Sequence, residues 1–237
     1  MANEAKPCPC EIGDRMEYGG LGQEIQIEHV NAYVVKPAVK SDKAVIVIQD
    51  IYGWQLPNTR YMADMLSTNG YIAIVPDFYL GKEPWSPSHD WSKFQEWLED
   101  KKPTNINKEV DAVLKYLREQ CGASRLASVG FCWGGVATHH LALQYPDIKA
   151  GVSVYGRTDN QLKSPTLFIF AEKDEVIPLE SGRACLFTLE RETHGFVHRK
   201  EKTSTQLTKH SFQEARTDIA KLAGKNMFRF VQHIKAN

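Results

Sequence analysis

A cysteine occupies the serine position of the pattern Gly-x-Ser-x-Gly in the run Val129-Gly130-Phe131-Cys132-Trp133-Gly134-Gly135. A short apolar run at residues 126–129 leads into this motif, and a run compatible with a helix follows it at residues 136–143. Strand, sharp turn and helix together form the context of a nucleophile elbow. The glycines allow a tight bend, and a cysteine at a helix N-terminus is favoured as a thiolate. We therefore predict that Cys132 is a nucleophile; the alternative is a buried strand-end cysteine whose neighbouring glycines serve only packing.

The bulk composition excludes several classes of partner. The 237 residues carry a formal net charge of zero, so nothing indicates a nucleic acid or an anionic membrane. No apolar run approaches the roughly 20 residues that span a bilayer, and residues 1–10 lack the apolar core of a signal peptide. An odd number of cysteines, five in this chain, without a signal peptide is typical of reduced thiols in the cytosol. We therefore predict a cytosolic protein that binds neither nucleic acid nor membrane.

Short apolar runs alternate with amphipathic stretches along the chain. Strands buried on both faces of a parallel sheet are predicted at residues 44–48, 71–75, 126–129, 150–155 and 166–170. Amphipathic helices are predicted at residues 58–69 and 106–120, and a leading hairpin at residues 24–28 and 32–35. This alternation predicts one α/β domain over residues 1–237, whose residues 1–23 form an irregular arm. The fold class is a three-layer sandwich with a mostly parallel central sheet flanked by helices.

The acid of the predicted site is expected after the strand at residues 166–170. Ligands of such sheets bind at the carboxyl ends of the strands, and the elbow fold orders its nucleophile, acid and histidine in that sequence. A nucleophilic cysteine needs such a base, oriented by a carboxylate. Asp174 lies in a polar turn and is the predicted acid, with Glu172 as the alternative. A purely structural role for Asp174 would be to shape that turn.

The base is predicted to be His194, which stands beside Gly195 in a loop-compatible run. His198, His210 and His233 are the other histidines after the acid. His194 and His198 are four residues apart and could share a helix face, but no glutamate completes an H-E-x-x-H motif between them. The pair Cys8 and Cys10 also lacks partners at the spacing of a zinc site. We therefore predict no metal.

The oxyanion hole is predicted from two backbone N–H groups. The fold places one donor after the first central strand and one after the nucleophile, which assigns Ile51 and Trp133. Asp50, beside them, is predicted to hold the thiol until substrate arrives; alternatively it closes the strand as a turn residue. The tryptophan-rich segment 82–102 forms the wall of a pocket or covers the sheet edge.

Several of these motifs, in this order, resemble the dienelactone hydrolase family. The resemblance is carried by residues 49–53, 75–79, 130–135, 171–174 and 193–196. It implies an α/β-hydrolase fold and hydrolysis of lactones and other esters in the cytosol, without a metal or an organic cofactor. It also implies a Cys–Asp–His triad at Cys132, Asp174 and His194, with oxyanion donors at Ile51 and Trp133. A family glutamate that holds the resting thiol falls on Asp50, which is one methylene shorter.

Two departures from the family pattern affect the predicted site. Bacterial members bind a substrate carboxylate with arginines, one of them four residues after the catalytic histidine; here that position is His198, followed by Arg199. A preference for a carboxylated dienelactone is therefore not expected, and the substrate pocket is assigned to Tyr52, Tyr79, Trp85, His198 and Arg199.

The second departure is a short connection, since only 19 residues separate Asp174 from His194. The fold normally places a helix and a parallel strand there, and residues 184–189 are the candidate strand. The short connection indicates a shortened isoform or a diverged paralogue.

These observations predict a monomeric cysteine hydrolase of small esters and lactones that acts through a thioester acyl-enzyme. The short connection supports an alternative, a catalytically impaired hydrolase scaffold with a binding or regulatory role. A thiol redox sensor centred on Cys132 is a third possibility, although no resolving cysteine stands at C-x-x-C spacing.

Overall fold

The computed structural model describes residues 19–156, 166–171 and 186–189, which form a single eight-stranded sheet with four α-helices. The strands are β1 Gln23–Ile27, β2 Val30–Val35, β3 Lys43–Ile48, β4 Ile72–Pro76, β5 Arg125–Phe131, β6 Ile148–Val154, β7 Thr166–Ala171 and β8 Leu186–Leu189. The helices are α1 Pro57–Thr68, α2 Phe94–Asp100, α3 Asn107–Glu119 and α4 Trp133–Gln144, and a 3₁₀ turn at Trp91–Lys93 precedes α2. Among the described helices, none combines the length and the apolar composition that crossing a membrane requires.

The strands lie in the order β1-β2-β4-β3-β5-β6-β7-β8. Strand β2 runs antiparallel to both β1 and β4, whereas β3 to β8 are mutually parallel. The carboxyl ends of the parallel strands therefore share one edge of the sheet, where ligands of open α/β sheets bind. This topology confirms the predicted mostly parallel sheet.

Both faces of the sheet are covered by helices. On β3, Val45 and Val47 join an apolar cluster that includes Met62 and Leu66 of α1. Neighbouring side chains of a strand point to opposite faces, and the intervening residues of β3 accordingly pack in a second cluster. That cluster includes Val113 and Leu117 of α3 and Leu141 of α4. Helix, sheet and helix form the predicted three layers.

The predicted strands are all present, with ends shifted by a few residues. The shift that matters for the site is at the end of β5, which was predicted at residue 129. This strand continues to Phe131 and so ends directly before Cys132. Helix α4 begins at Trp133, earlier than the predicted start at residue 136. The candidate strand at residues 184–189 is β8, and it pairs parallel to β7. Helix α2 was not predicted, and residues 1–18 of the predicted arm lie outside the described residues.

Candidate active site

Cys132 forms the turn between β5 and α4. Its backbone has φ 55° and ψ −111°, a region that costs a non-glycine residue on the order of 1–3 kcal/mol and is retained mainly at functional sites. The Cys132 N–H donates to the Val154 carbonyl at 3.0 Å, and the Cys132 carbonyl accepts from the Gly135 N–H at 2.9 Å. These bonds fix a half-buried thiol at the carboxyl edge of the sheet. The predicted strand, turn and helix are therefore present around this cysteine.

The elbow requires glycine because other backbone lies directly against it. A β-carbon on Gly130 would collide with the carbonyl group of Gly134. A β-carbon on Gly134 would collide with the carbonyl oxygens of Ile48 and Gln49. Such overlap cannot be relieved by moving a side chain, since the obstacles are backbone atoms. This close approach places the segment after β3 beside the elbow.

The segment after β3 forms a tight turn around Asp50. The fully buried Asp50 carboxylate accepts the Tyr52 N–H at 2.8 Å through Oδ1. The Asp50 carbonyl accepts the Gly53 N–H at 3.3 Å, and the Ile51 carbonyl accepts the Trp85 N–H at 2.8 Å. Asp50 therefore has the role of a turn residue, which was the alternative to thiol-holding; the thiol-holding role stays a prediction.

Two backbone N–H groups near Cys132 point to no acceptor within the described part of the chain. These are the N–H groups of Ile51 and Trp133, and neither donates to another residue described by the structure. Trp133 is the first residue of α4, where the N–H of a helix has no acceptor within the helix itself. Their role as oxyanion donors stays a prediction.

Tyr79 lies between the Asp50 turn and the elbow. Its hydroxyl donates to the Asp50 carbonyl at 3.0 Å, and its ring meets that of Trp133 edge to face with centroids 5.0 Å apart. Burial raises the pKa of Tyr79 well above its usual value, and the charges of Asp50 and Cys132 raise this pKa further. Tyr79 is therefore a neutral hydrogen-bond donor close to both acidic groups.

The segment 82–102 packs as an aromatic cluster over this end of the sheet. The buried ring of Trp85 lies with its centroid 5.1 to 5.7 Å from those of four neighbours, namely His89, Trp91, Phe94 and Trp97. The Trp133 indole N–H donates to the Lys101 carbonyl at 2.6 Å. The segment thus covers the sheet end and is attached to the residue that follows Cys132.

A cavity of about 170 Å³ opens next to the Asp50 turn. Tyr52 and Tyr79, two of the predicted pocket residues, line it together with Trp54, Asp77 and Lys82. Trp85 packs within the aromatic cluster instead of lining this cavity. Cys132, Ile51 and Trp133 are not among the residues that line this cavity, so the assignment of the substrate pocket stays a prediction.

The predicted acid and base lie outside the described residues, as do Glu172, His198 and Arg199. The strands that precede them are described. Asp174 follows Ala171, the last residue of β7, by three positions. His194 follows Leu189, the last residue of β8, by five positions. Both strands are parallel to β5, so their carboxyl ends lie at the same edge of the sheet as Cys132.

Sequence reasoning missed the contacts made by Lys101 and Asp77. Asp77 accepts the N–H groups of Tyr79 at 3.0 Å and Gly81 at 2.7 Å through its two carboxylate oxygens. An aspartate directly after a strand is a signal for such a turn and could have revealed this role. The bond between Trp133 and Lys101 has no comparable signal, because it depends on how the segment 82–102 folds back.

Comparison with solved structures first defines the class of protein. A putative dienelactone hydrolase from Klebsiella pneumoniae superposes with a TM-score of 0.66 at 24% identity, covering 82% of this chain and 95% of that one. An α/β serine hydrolase homologue from Coxiella burnetii superposes with a TM-score of 0.59 at 15% identity, covering 90% and 100%. The fold is that of the α/β hydrolases.

Sequence comparison then defines the family. The model of the dienelactone hydrolase family matches residues 30–233, and the chain belongs to this family. The carboxymethylenebutenolidase homolog of Homo sapiens is 53% identical over 245 aligned positions, covering 96% of this chain and 100% of that protein. That of Xenopus tropicalis is 54% identical and covers 92% and 96%. The predicted resemblance is confirmed, and with it a hydrolase role at the level of the family.

Proposed function

We propose that this protein is a cysteine hydrolase that cleaves small esters and lactones through a thioester acyl-enzyme. One observation carries the proposal: Cys132 stands at φ 55° between β5 and α4, directly before Trp133, and the backbone of Gln49, which leads into the Asp50–Ile51 turn, lies against the elbow at Gly134. This is the arrangement of a nucleophile elbow beside an oxyanion hole. The names of the relatives from Homo sapiens and Xenopus tropicalis, which contain the word carboxymethylenebutenolidase, support a lactone among the substrates.

In the proposed acylation step, the Cys132 thiolate attacks the ester carbonyl and forms a carbon–sulfur bond. The carbonyl π electrons move to oxygen, and the resulting oxyanion accepts hydrogen bonds from the N–H groups of Ile51 and Trp133. The tetrahedral intermediate expels the alkoxide, which takes the proton that His194 removed from the thiol. In a lactone the released hydroxyl stays attached to the acyl group.

In the proposed deacylation step, water attacks the thioester carbonyl. His194 accepts a proton from this water as the bond forms, and the thiolate leaves when the second tetrahedral intermediate collapses. Asp174 holds the His194 ring in the orientation that both steps require. An ester thus gives a carboxylic acid and an alcohol, and a lactone gives a single hydroxy acid.

The strand β8 supports the hydrolase over the impaired scaffold. That alternative rests on the short connection between Asp174 and His194, but β8 lies within it and pairs with β7 in parallel. An extended chain spans at most about 3.6 Å per residue, so five positions after Leu189 give His194 a reach of roughly 18 Å. A cytosolic location and a monomeric state remain predictions from the sequence.

The test is hydrolysis of p-nitrophenyl acetate and of a five-membered lactone by the purified chain and by Cys132→Ala. We expect Cys132→Ala to lose at least about 1,000-fold in kcat, as removal of a nucleophile does, and the native protein to gain the mass of one acetyl group when quenched during turnover. Tyr145→Phe is the matched control, because it removes a hydroxyl bonded to the Asn107 carbonyl at the far end of α4. Equal rates for the native chain and Cys132→Ala would overturn the proposal.

A further inference from the structure

We propose that Tyr79 positions the oxyanion hole by fixing the peptide group that joins Asp50 to Ile51. This inference rests on the proposed hydrolase function and adds a positioning residue to it. The Tyr79 hydroxyl donates to the Asp50 carbonyl oxygen at 3.0 Å. The same planar peptide group carries the Ile51 N–H on its opposite side. Through this bond Tyr79 sets the orientation of the predicted oxyanion donor.

The bond to Tyr79 also strengthens the Ile51 N–H as a donor. Hydrogen bonds in a chain polarise one another, by about 10–30% per bond in condensed-phase estimates. A donor at the Asp50 carbonyl draws electron density toward that oxygen, which leaves the N–H of the same peptide more positive. This effect is largest when charge develops on the substrate oxygen, because the N–H then faces an anion.

Tyr79 is itself held rigidly. Its N–H donates to Asp77 Oδ1 at 3.0 Å, and its ring packs edge to face against Trp97 and Trp133 with centroids 5.6 and 5.0 Å away. Only 3% of the residue is exposed. Because its pKa is raised by burial, the hydroxyl keeps its proton throughout the pH range in which an esterase assay is run.

The neighbouring contacts hold the peptide less directly. The Gly53 N–H also reaches the Asp50 carbonyl, but at 3.3 Å. The Trp85 N–H holds the Ile51 carbonyl, which belongs to the next peptide group. The Tyr79 hydroxyl thus lies closer than the Gly53 N–H to the carbonyl whose peptide group contains the predicted donor. A ring that served only packing would bury its hydroxyl at a cost unless some partner was found; here the Asp50 carbonyl is such a partner.

If Tyr79 acts in this way, removing its hydroxyl should destabilise only those states in which the substrate oxygen carries a negative charge. We expect Tyr79→Phe to lower the rate of acylation about tenfold, less than the hundredfold or more that removal of a whole donor produces. KM should change less than about twofold, since the uncharged carbonyl gains little from the N–H. Alkylation of Cys132 by iodoacetamide should be unchanged, because the thiolate displaces iodide from carbon and no oxyanion forms.

The experiment measures single-turnover acylation by p-nitrophenyl acetate, steady-state kcat and KM, and the iodoacetamide rate. It uses the full chain as the native protein, Tyr79→Phe, Cys132→Ala and the control Tyr145→Phe, each with a thermal unfolding curve. We expect acylation to be slower in Tyr79→Phe but not in Tyr145→Phe, and alkylation of Cys132 to be unchanged in both variants. Full-speed acylation by Tyr79→Phe, or an equal slowing of acylation and alkylation, would overturn the role of Tyr79.

Failure of the proposed function gives a different result, because Cys132→Ala would then hydrolyse the ester as fast as the native chain. If Tyr79→Phe does not fold, 3-fluorotyrosine at position 79 replaces it. This residue keeps the shape of tyrosine and is a stronger donor, so acylation should be at least as fast as in the native protein. A fall of more than about twofold in acylation, with alkylation unchanged, would contradict the proposal.

Discussion

The indole N–H of Trp133 donates a 2.6 Å hydrogen bond to the backbone carbonyl of Lys101. Lys101 directly follows α2, and its own N–H bonds back to Leu98. The whole segment 82–102 is therefore attached to the residue whose N–H is a proposed oxyanion donor. The placement of that donor depends on a part of the chain about 30 residues earlier in the sequence.

Trp133→Phe tests this connection. The ring keeps most of its packing against Tyr79 but leaves the Lys101 carbonyl without its donor, so the free energy of unfolding should fall by about 1–2 kcal/mol. We expect kcat to fall about fivefold because the N–H of residue 133 is less firmly placed. Urea unfolding and p-nitrophenyl acetate hydrolysis measure the two effects. Trp91→Phe is the control within the same cluster, and an unchanged kcat in Trp133→Phe would contradict the connection.

Gly134→Ala should destabilise the protein. Alanine is a better helix former than glycine by up to about 1 kcal/mol, but the new β-carbon would meet the carbonyl oxygens of Ile48 and Gln49. Overpacking of this kind costs about 1–3 kcal/mol, so the clash outweighs the gain in helix propensity. Urea unfolding measures the change. Gly19→Ala is the matched control, since a β-carbon at that position meets no atom within 4 Å; equal stability of the two variants would be evidence against the clash.

The choice between the two candidate acids can be made by substitution. Asp174→Asn should lower kcat by about 1,000-fold or more, as loss of the orienting carboxylate does in a triad. Glu172→Gln should change kcat less than about threefold. Both changes remove one charge and keep the side-chain length, so each controls for the other. The reverse order of effects in the ester assay would assign the acid to Glu172.

The ion pair between Asp42 and Arg125 makes the free energy of unfolding depend on pH in the acidic range. Arg125 donates to both carboxylate oxygens of Asp42, at 2.6 and 3.0 Å. Hydrogen bonds from Arg125 and Ser124 lower the pKa of Asp42 from 3.8 to about 2. Because the folded-state pKa is the lower one, the stabilisation is complete above about pH 4 and is lost as the pH falls toward 2.

Asp42→Asn should therefore be less stable than the native protein at pH 7, and the difference should shrink below pH 4. The two side chains are nearly half exposed, so solvent screening limits the difference to less than about 1 kcal/mol. Thermal unfolding between pH 7 and pH 3 measures it. Arg125→Lys keeps the charge but loses the bidentate hydrogen bond. Its stability should therefore lie between those of Asp42→Asn and the native protein. Asp42 directly precedes β3 and Arg125 begins β5, so both lie at the amino ends of the parallel strands and kcat should not change. A difference in stability that stays constant down to pH 3 would contradict the assignment.

The sheet could be predicted from the sequence because its signals are local. Strands β3 and β5 are continuous apolar runs, as expected for strands buried on both faces. The turn at Cys132 followed from glycines at fixed spacing between such a run and a helix. The short β8 is an exception, since residues 184–189 were a candidate strand only because the resembled fold places a strand between its acid and its histidine.

The contacts of the candidate site were harder to predict because they join distant parts of the chain. Tyr79 was assigned to the substrate pocket, and it lines a cavity beside the Asp50 turn, but its contact with a substrate stays a prediction. Nothing in the sequence indicated that its hydroxyl would bond to the carbonyl of Asp50, 29 positions away. Helix α2 has seven residues and was missed because a helix of that length depends on tertiary packing more than on its own pattern.

The left-handed backbone of Cys132 has a consequence for attempts to make this protein more heat-resistant. Glycine adopts φ 55° without the steric penalty that a β-carbon brings, so Cys132→Gly is expected to resist unfolding better than Cys132→Ala. The residue that gives the highest thermal stability at this position is therefore one without a thiol. A screen that selects only for melting temperature would discard the nucleophile, and engineering of this protein must select for turnover at the same time.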